Sequence, residues 1–220
     1  MRAWLVVRNR YAEDKLCEAV ANNATQYVLL GAGLDTFAYR NPHPDVKVFE
    51  VDHPATQEWK KNLLASSQIS APANLHYVPV DFERESIADQ LEKSCLNFSA
   101  PTVFASLGVV LYLTHSAFRS TIDLVEAFPA GSGVVFDYAL PRLALRPEEL
   151  ESRDLLSARV ASIGEPFQLF FTPTEIATEL TGFSRLEDLN AAQLNDRYFA
   201  NRTDALSLRG RSANIISAWL

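Results

Sequence analysis

The sequence predicts an α/β fold built on a mainly parallel sheet, and three observations carry that expectation. Short apolar runs alternate with helix-like runs from Gln26 to Tyr138, the pattern in which each helix is a crossover between parallel strands. The first run, Gln26-Tyr-Val-Leu-Leu30, ends in Gly31-Ala-Gly33. The second, Val46 to Val51, ends in an acid, Asp52, that follows Gly31 by 21 positions. A glycine turn lets backbone approach a ligand, and an acid about 20 residues further on takes a ribose hydroxyl. This is the layout of a nucleotide site at the carboxyl edge of such a sheet.

The elements follow in order. Tyr11 to Asn22 has helical spacing through Ala12, Leu16, Ala19 and Val20, with acids in its first turn and Asn22-Asn23 at its end. Gln26 to Leu30 reads as a short buried strand. Leu34 to Arg40 opens with Asp35 and Thr36, which suit a helix start, and Asn41-Pro-His-Pro44 breaks it. Val46 to Val51 is the second strand, and Pro54 to Ala65 a helix with proline in its first turn. Leu75 to Val80 is a third strand ending at Asp81, and Ile87 to Lys93 is helical. Thr102 to Leu107 is a fourth strand ended by Gly108, Ser116 to Ala127 a helix stopped near Pro129, and Gly133 to Tyr138 a fifth strand. After Pro141 the alternation lapses. Arg146 to Ile163 reads as a charged helix, and Thr172-Pro-Thr-Glu175 as a helix start running to Leu180. Gly182 to Leu189 and Asn214 to Trp219 read as two further strands at one edge. No repeat, low-complexity segment or linker divides the chain, so residues 1–220 read as one domain.

The bulk numbers bound the partners. A chain of 220 residues can bury one sizeable α/β core. A net charge of −7 with no basic cluster argues against a nucleic-acid partner. Cys17 and Cys95 stand in no metal or redox spacing, so no metal site is expected and both read as thiols of a reducing compartment. Cys17, beside Leu16 and Val20, is expected in the core. The longest apolar stretch, Val103 to Leu113, is interrupted by Ser106 and falls short of the ~20 residues of a membrane span. No targeting segment is visible, and a cytoplasmic protein without a membrane partner is expected. Oligomeric state is not legible.

The glycine turn also distinguishes cofactors. A dinucleotide fingerprint wants a third glycine at position 36, where this chain has Thr36. The turn therefore looks like the S-adenosyl-L-methionine version, which holds no pyrophosphate, and an NAD(P)-binding oxidoreductase is the weaker reading. Gly31 and Gly33, with Ala32 between them, would let backbone pass the methionine part. Asp52 would accept both ribose hydroxyls; the alternative is that it caps the helix beginning near Pro54. Glu50 lies on the same strand face as Asp52 and is expected to be buried and paired, with Arg10 or Arg40 as partner. Asp35 is expected to shape the turn. His53 and His115 read as helix caps or surface residues.

Five segments together resemble the leucine carboxyl methyltransferase family, in particular its bacterial branch of S-adenosyl-L-methionine-dependent methyltransferases. They are Arg8-Asn-Arg-Tyr-Ala-Glu-Asp14, Leu30-Gly-Ala-Gly-Leu-Asp-Thr-Phe-Ala-Tyr-Arg40, Val48-Phe-Glu-Val-Asp-His-Pro54, Val78-Pro-Val-Asp-Phe-Glu83 and Gly108-Val-Val-Leu-Tyr-Leu-Thr114. The second half matches more loosely, through Phe136-Asp-Tyr138 and Gly164-Glu-Pro166. The resemblance implies a class I (Rossmann-like) methyltransferase: a doubly wound seven-stranded sheet, mostly parallel with an antiparallel last strand. It implies S-adenosyl-L-methionine across the carboxyl ends of strands one to four, against Gly31, Ala32, Gly33, Glu50, Val51 and Asp52. It further implies Asp81 on the adenine amino group with Phe82 walling the ring, and Arg8 or Arg10 on the cofactor carboxylate. Leu107 and Gly108 would border the cofactor; many relatives carry a glutamate where Leu107 stands, which leaves backbone carbonyls for the amino group. Relatives also carry several tens of residues before the Arg-x-Arg-Tyr segment, where this chain has seven, so their N-terminal cover is expected to be lacking.

Residues 141–172 would roof the acceptor, and they mix Arg142, Arg146 and Arg153 with Phe167, Phe170 and Phe171. Those arginines would hold an anionic acceptor or form a solvated face. Tyr112 faces either core or acceptor. No Asp–His or lysine pairing marks a base, so no catalytic residue is assigned. A carboxylate acceptor needs no base, which favours O-methylation of a carboxylate or another small-molecule acceptor. The alternative is a protein that keeps the fold and binds the cofactor without turnover.

Overall fold

A computed structural model describes residues 2–82, 84–162, 164–204 and 206–220. Glu83, in the fourth resembling segment, and Ile163, at the expected end of a helix, lie outside the described residues. The strands are β1 (Gln26–Leu30), β2 (Lys47–Asp52), β3 (Leu75–Pro79), β4 (Thr102–Ser106), β5 (Gly133–Ala139), β6 (Arg185–Leu189) and β7 (Ala213–Trp219). The helices are α1 (Arg2–Val20), α2 (Pro54–Ser66), α3 (Ile87–Glu92), α4 (His115–Glu126), α5 (Pro147–Ala161), α6 (Pro173–Glu179) and α7 (Ala191–Tyr198).

One seven-stranded sheet runs in the order β3-β2-β1-β4-β5-β7-β6. The β1–β2, β1–β4, β2–β3 and β4–β5 pairs are parallel, whereas β7 runs antiparallel to both β5 and β6. Strand order reverses between β1 and β4. The loops leaving those two strands therefore diverge to opposite sides and open a crevice at the carboxyl edge.

Side-chain alternation divides the core in two. Val28, Leu30, Phe49, Val51, Phe104, Val134 and Phe136 face Phe118, Ile122 and Val125 of α4 and Ile176 of α6. Tyr27, Leu29, Val48, Val103, Ala105 and Val135 face Val7, Tyr11, Leu16 and Ala19 of α1 and Leu194 of α7. Burial on both faces explains why the central strands read as continuous apolar runs.

Three expectations are corrected. Leu34 to Arg40 holds only a 3-10 turn over Phe37–Tyr39, because the Asp35 carboxylate accepts the Phe37 N–H at 2.7 Å and closes a local turn. α1 begins nine residues before the expected helix start. Cys17 is exposed, since it lies off the α1 stripe of Ala12, Lys15, Leu16 and Ala19 that meets the sheet. Helix α7 was not expected at all. No helix among the described residues is long and apolar enough to cross a membrane.

Candidate functional site

The crevice at the β1–β4 edge holds a cavity of about 390 Å³, within the range of small-molecule sites. Its wall takes Gly31, Ala32, Gly33, Leu34 and Asp35 from the loop after β1. Leu107 enters after β4, and Leu5, Arg8 and Asn9 come from α1.

The loop after β1 is fixed from β2. The Val51 carbonyl accepts the N–H groups of Gly31 and Ala32 at 2.9 and 3.2 Å. Asp52, 8 % exposed, accepts the Gly33 N–H through Oδ2 at 2.5 Å and the His53 N–H through Oδ1 at 2.7 Å. Gly31 and Gly33 have φ of +70° and +49°, values an L side chain reaches only under strain. A Cβ on Gly31 would lie 2.5 Å from Val109 Cγ2, whereas a Cβ on Gly33 would meet nothing within 4 Å. Backbone at Gly33 thus borders open space. The cap of α2 is His53, whose ring accepts the Ala55 N–H, so Asp52 is not the cap considered above.

Glu50 lies beneath this loop, 1 % exposed. Its partner is Lys60 of α2, at 2.7 Å, which replaces the expected Arg10 or Arg40. Lys60 also donates to the Asp35 carbonyl at 2.6 Å. Burial pushes the Glu50 carboxyl above the usual carboxylate range, against the lowering effect of Lys60. Burial likewise raises Asp35, against its bond from the Phe37 N–H. Arg40 pairs with Glu13 instead.

The two candidate arginines part company. Arg10, 67 % exposed along its side chain, pairs with Asp14 one turn further along α1, and it does not line the cavity. Arg8 does line it. Its Nη1 donates to Asp137 of β5 at 3.1 Å, and its Nε is buried with no partner among the described residues. The guanidinium lies over Gly108, where a Cβ would fall 2.5 Å from Nη1. Gly108, at φ +73°, donates its N–H to Asp137.

The remaining expected residues are spread around this centre. Val51 turns its side chain into the α4-facing core. Asp81 follows β3, which pairs with β2 at Asp52 and Pro79. Its carbonyl accepts the N–H groups of Arg84 and Glu85. Phe82 packs half-buried against the core. Tyr112 sits in a 3-10 turn with its ring 5.3 Å from that of Phe167. Burial raises its phenol, with Glu165 adding to the effect.

Sequence reading missed Lys60, Trp4 and the role of Asp137. An acid inside the apolar run Val134-Val-Phe-Asp-Tyr138 was the available signal for the last. In the roof, Arg142 pairs with Asp154, and Arg146 with Glu149. Arg153 donates to the carbonyls of Leu140 and Ser212. All three are thus engaged within the chain. Among the described residues, no three His, Cys, Asp or Glu side chains gather in the manner of a metal site.

Comparison with known proteins shows the family and the fold. The model of the leucine carboxyl methyltransferase family matches residues 1–126. The chain is 39 % identical over 207 residues to a Bacillus subtilis (strain 168) protein named "Putative S-adenosyl-L-methionine-dependent methyltransferase YktD", covering 92 % of this chain and 68 % of YktD. A Mycobacterium bovis protein of the same description is 35 % identical over 161 residues, 73 % of this chain and 49 % of that protein. Against several relatives, then, the matched region spans less than half of their length. Among solved structures, a DUF574-family protein from Streptomyces avermitilis superposes with a TM-score of 0.69 at 19 % identity, covering 100 % of this chain and 83 % of that one. Magnesium protoporphyrin IX methyltransferase from Synechocystis superposes with a TM-score of 0.56 at 10 % identity, covering 99 % and 85 %. These two likenesses establish the fold, that of class I methyltransferases.

Proposed function

The chain belongs to the leucine carboxyl methyltransferase family, and from that premise we propose that it binds S-adenosyl-L-methionine in the β1–β4 crevice and methylates an oxygen of a carboxylate or other small acceptor. The observation that carries this reading is a crevice lined both by the glycine loop that Asp52 holds and by Arg8. A carboxylate at the end of β2 takes ribose hydroxyls. A guanidinium with a free buried donor takes a carboxylate. Open space at Gly33 leaves room for a ligand chain against the backbone. Asp81 and Phe82, beyond Asp52, would receive the adenine. Leu107, in place of an acid, leaves backbone oxygens for the amino group.

The bound cofactor supplies an electrophilic methyl carbon on a sulfonium, and methyl transfer is an in-line displacement whose rate depends on alignment. The chain's part is to orient and to exclude water. Among the described residues Asp35 is the one acid lining the cavity, and one of its oxygens accepts the Phe37 N–H. A phenol is protonated at neutral pH in any case, and burial raises that of Tyr112 further. Among the described residues no histidine or lysine lines the cavity, which supports an acceptor that arrives ionised, as a carboxylate does.

The test is transfer of a labelled methyl group from S-adenosyl-L-methionine to a panel of carboxylic acids and phenols. Labelled methyl esters, hydrolysed by mild alkali, are the expected products. Alkali-stable methyl ethers alone would overturn the carboxylate assignment. Cofactor binding without transfer to any acceptor would support the non-catalytic reading.

A further inference from the structure

Asp137 is a buried acid, 5 % exposed, that the reading above does not use. Its place follows from strand lengths. β4 ends at Ser106, which pairs with Phe136, while β5 continues to Ala139. Asp137 therefore stands level with the residues that leave β4 at Leu107 and Gly108. Strand alternation turns it to the face of Val135, which α1 covers.

There its carboxylate receives three donors from two elements. Oδ1 accepts the Gly108 N–H at 2.5 Å. Oδ2 accepts Arg8 Nη1 at 3.1 Å and Trp4 Nε1 at 3.1 Å. Trp4 and Arg8 lie four residues apart on α1 and so present to the same side. The guanidinium cannot swing away without leaving a buried carboxylate short of a partner, an arrangement that is strongly disfavoured. Gly108 completes the clamp, because only a residue without a Cβ leaves room for Arg8 above it.

We propose that Asp137 is a positioning residue for the cofactor's amino-acid end: it fixes the Arg8 guanidinium and the Gly108 backbone without touching the cofactor itself. The proposal rests on the methyltransferase reading. It makes a distinction that a purely structural acid would not make. S-adenosylhomocysteine carries an amino-acid end, whereas methylthioadenosine has the same nucleoside and thioether and lacks it. Only the first needs an aligned Arg8.

The experiment is calorimetric titration of the full chain and its Asp137→Asn and Asp137→Glu variants with both ligands. Asp137→Glu keeps the charge and moves it outward by one methylene, so it carries the test where the amide variant does not fold. Either variant is expected to weaken S-adenosylhomocysteine at least tenfold and to leave methylthioadenosine within twofold. Arg8→Ala should show the same selectivity, and Arg8→Ala/Asp137→Asn no further loss, as expected for residues acting as one unit. Equal weakening of both ligands, or losses that add in the double variant, would overturn the proposal. A wild-type chain that binds neither ligand would overturn the methyltransferase reading itself, and the proposal with it.

Discussion

At the scale of single residues, two glycines of one loop do different work. Gly31 and Gly33 both sit at positive φ, but only Gly31 has a neighbour within reach of a Cβ. Alanine at Gly33 should cost about 1–2 kcal/mol in strain alone, and its methyl would project into the crevice. Alanine at Gly31 should cost more than the ~1–2 kcal/mol of strain, because Val109 must also move. Denaturant unfolding should rank the variants wild type, Gly33→Ala, Gly31→Ala in falling stability. S-adenosylhomocysteine titration should show Gly33→Ala impaired although folded. Residue identity at this scale was largely legible. The glycine pair and Asp52 come to one edge, because their spacing against short buried strands leaves little choice of where each strand ends; Arg8 arrives on α1, and the sequence did not separate it from Arg10. Partners were not legible. Glu50 was expected to meet an arginine, yet Lys60 reaches it from α2. The crossing of α2 over β2 is a tertiary fact that spacing does not encode.

At the scale of elements, the Glu50–Lys60 pair ties α2 to β2 under the loop after β1. Replacing Lys60 by methionine strands Glu50 in the core and should cost about 3–5 kcal/mol at neutral pH. The pH dependence has a definite sign. Burial already raises the folded-state Glu50 pKa, and loss of Lys60 raises it further. Between the unfolded and folded pKa values the folded variant binds more protons than the unfolded chain, so its stability falls as pH rises through that window. The deficit of Lys60→Met should therefore shrink as pH is lowered from 8 towards 5, as read from chemical denaturation at each pH. A constant deficit would contradict this account of the pair. Elements were legible where a strand was buried on both faces or a cap was marked, as at Thr172, whose side chain and Glu175 form a capping box. They were less so in α1, where exposed Leu5 and Val6 blur the buried stripe of Ala3, Val7 and Tyr11. Helix α7 buries only Ala191 and Leu194. Its Asn190-x-x-Gln193 capping box was a signal within the sequence.

At the scale of the whole molecule, the sheet order places the site and the helices close it. α1 contributes both wall and charge to the crevice, so ligand binding should stabilise the chain as a unit. A ligand at 100 times its Kd adds about 2.7 kcal/mol. For a chain of this length each kcal/mol is worth about 2–4 °C, so a saturating cofactor should raise Tm by roughly 5–10 °C. Thermal unfolding with and without S-adenosylhomocysteine checks this. The placement of β7 between β5 and β6 was legible only as two strands at one edge. Ile215 and Ile216 are buried on opposite faces of the sheet, as neighbours in any strand are, so the apolar pattern does not set which strands flank β7.

The central claim is that the β1–β4 crevice is an S-adenosyl-L-methionine site. Calorimetric titration of the chain with S-adenosylhomocysteine, beside NADH as control and with Asp52→Ala as variant, tests it most directly. The account predicts one-site binding of S-adenosylhomocysteine, weakened at least tenfold by Asp52→Ala, and no binding of NADH. Binding of NADH in place of S-adenosylhomocysteine, or of neither by a folded chain, would contradict it.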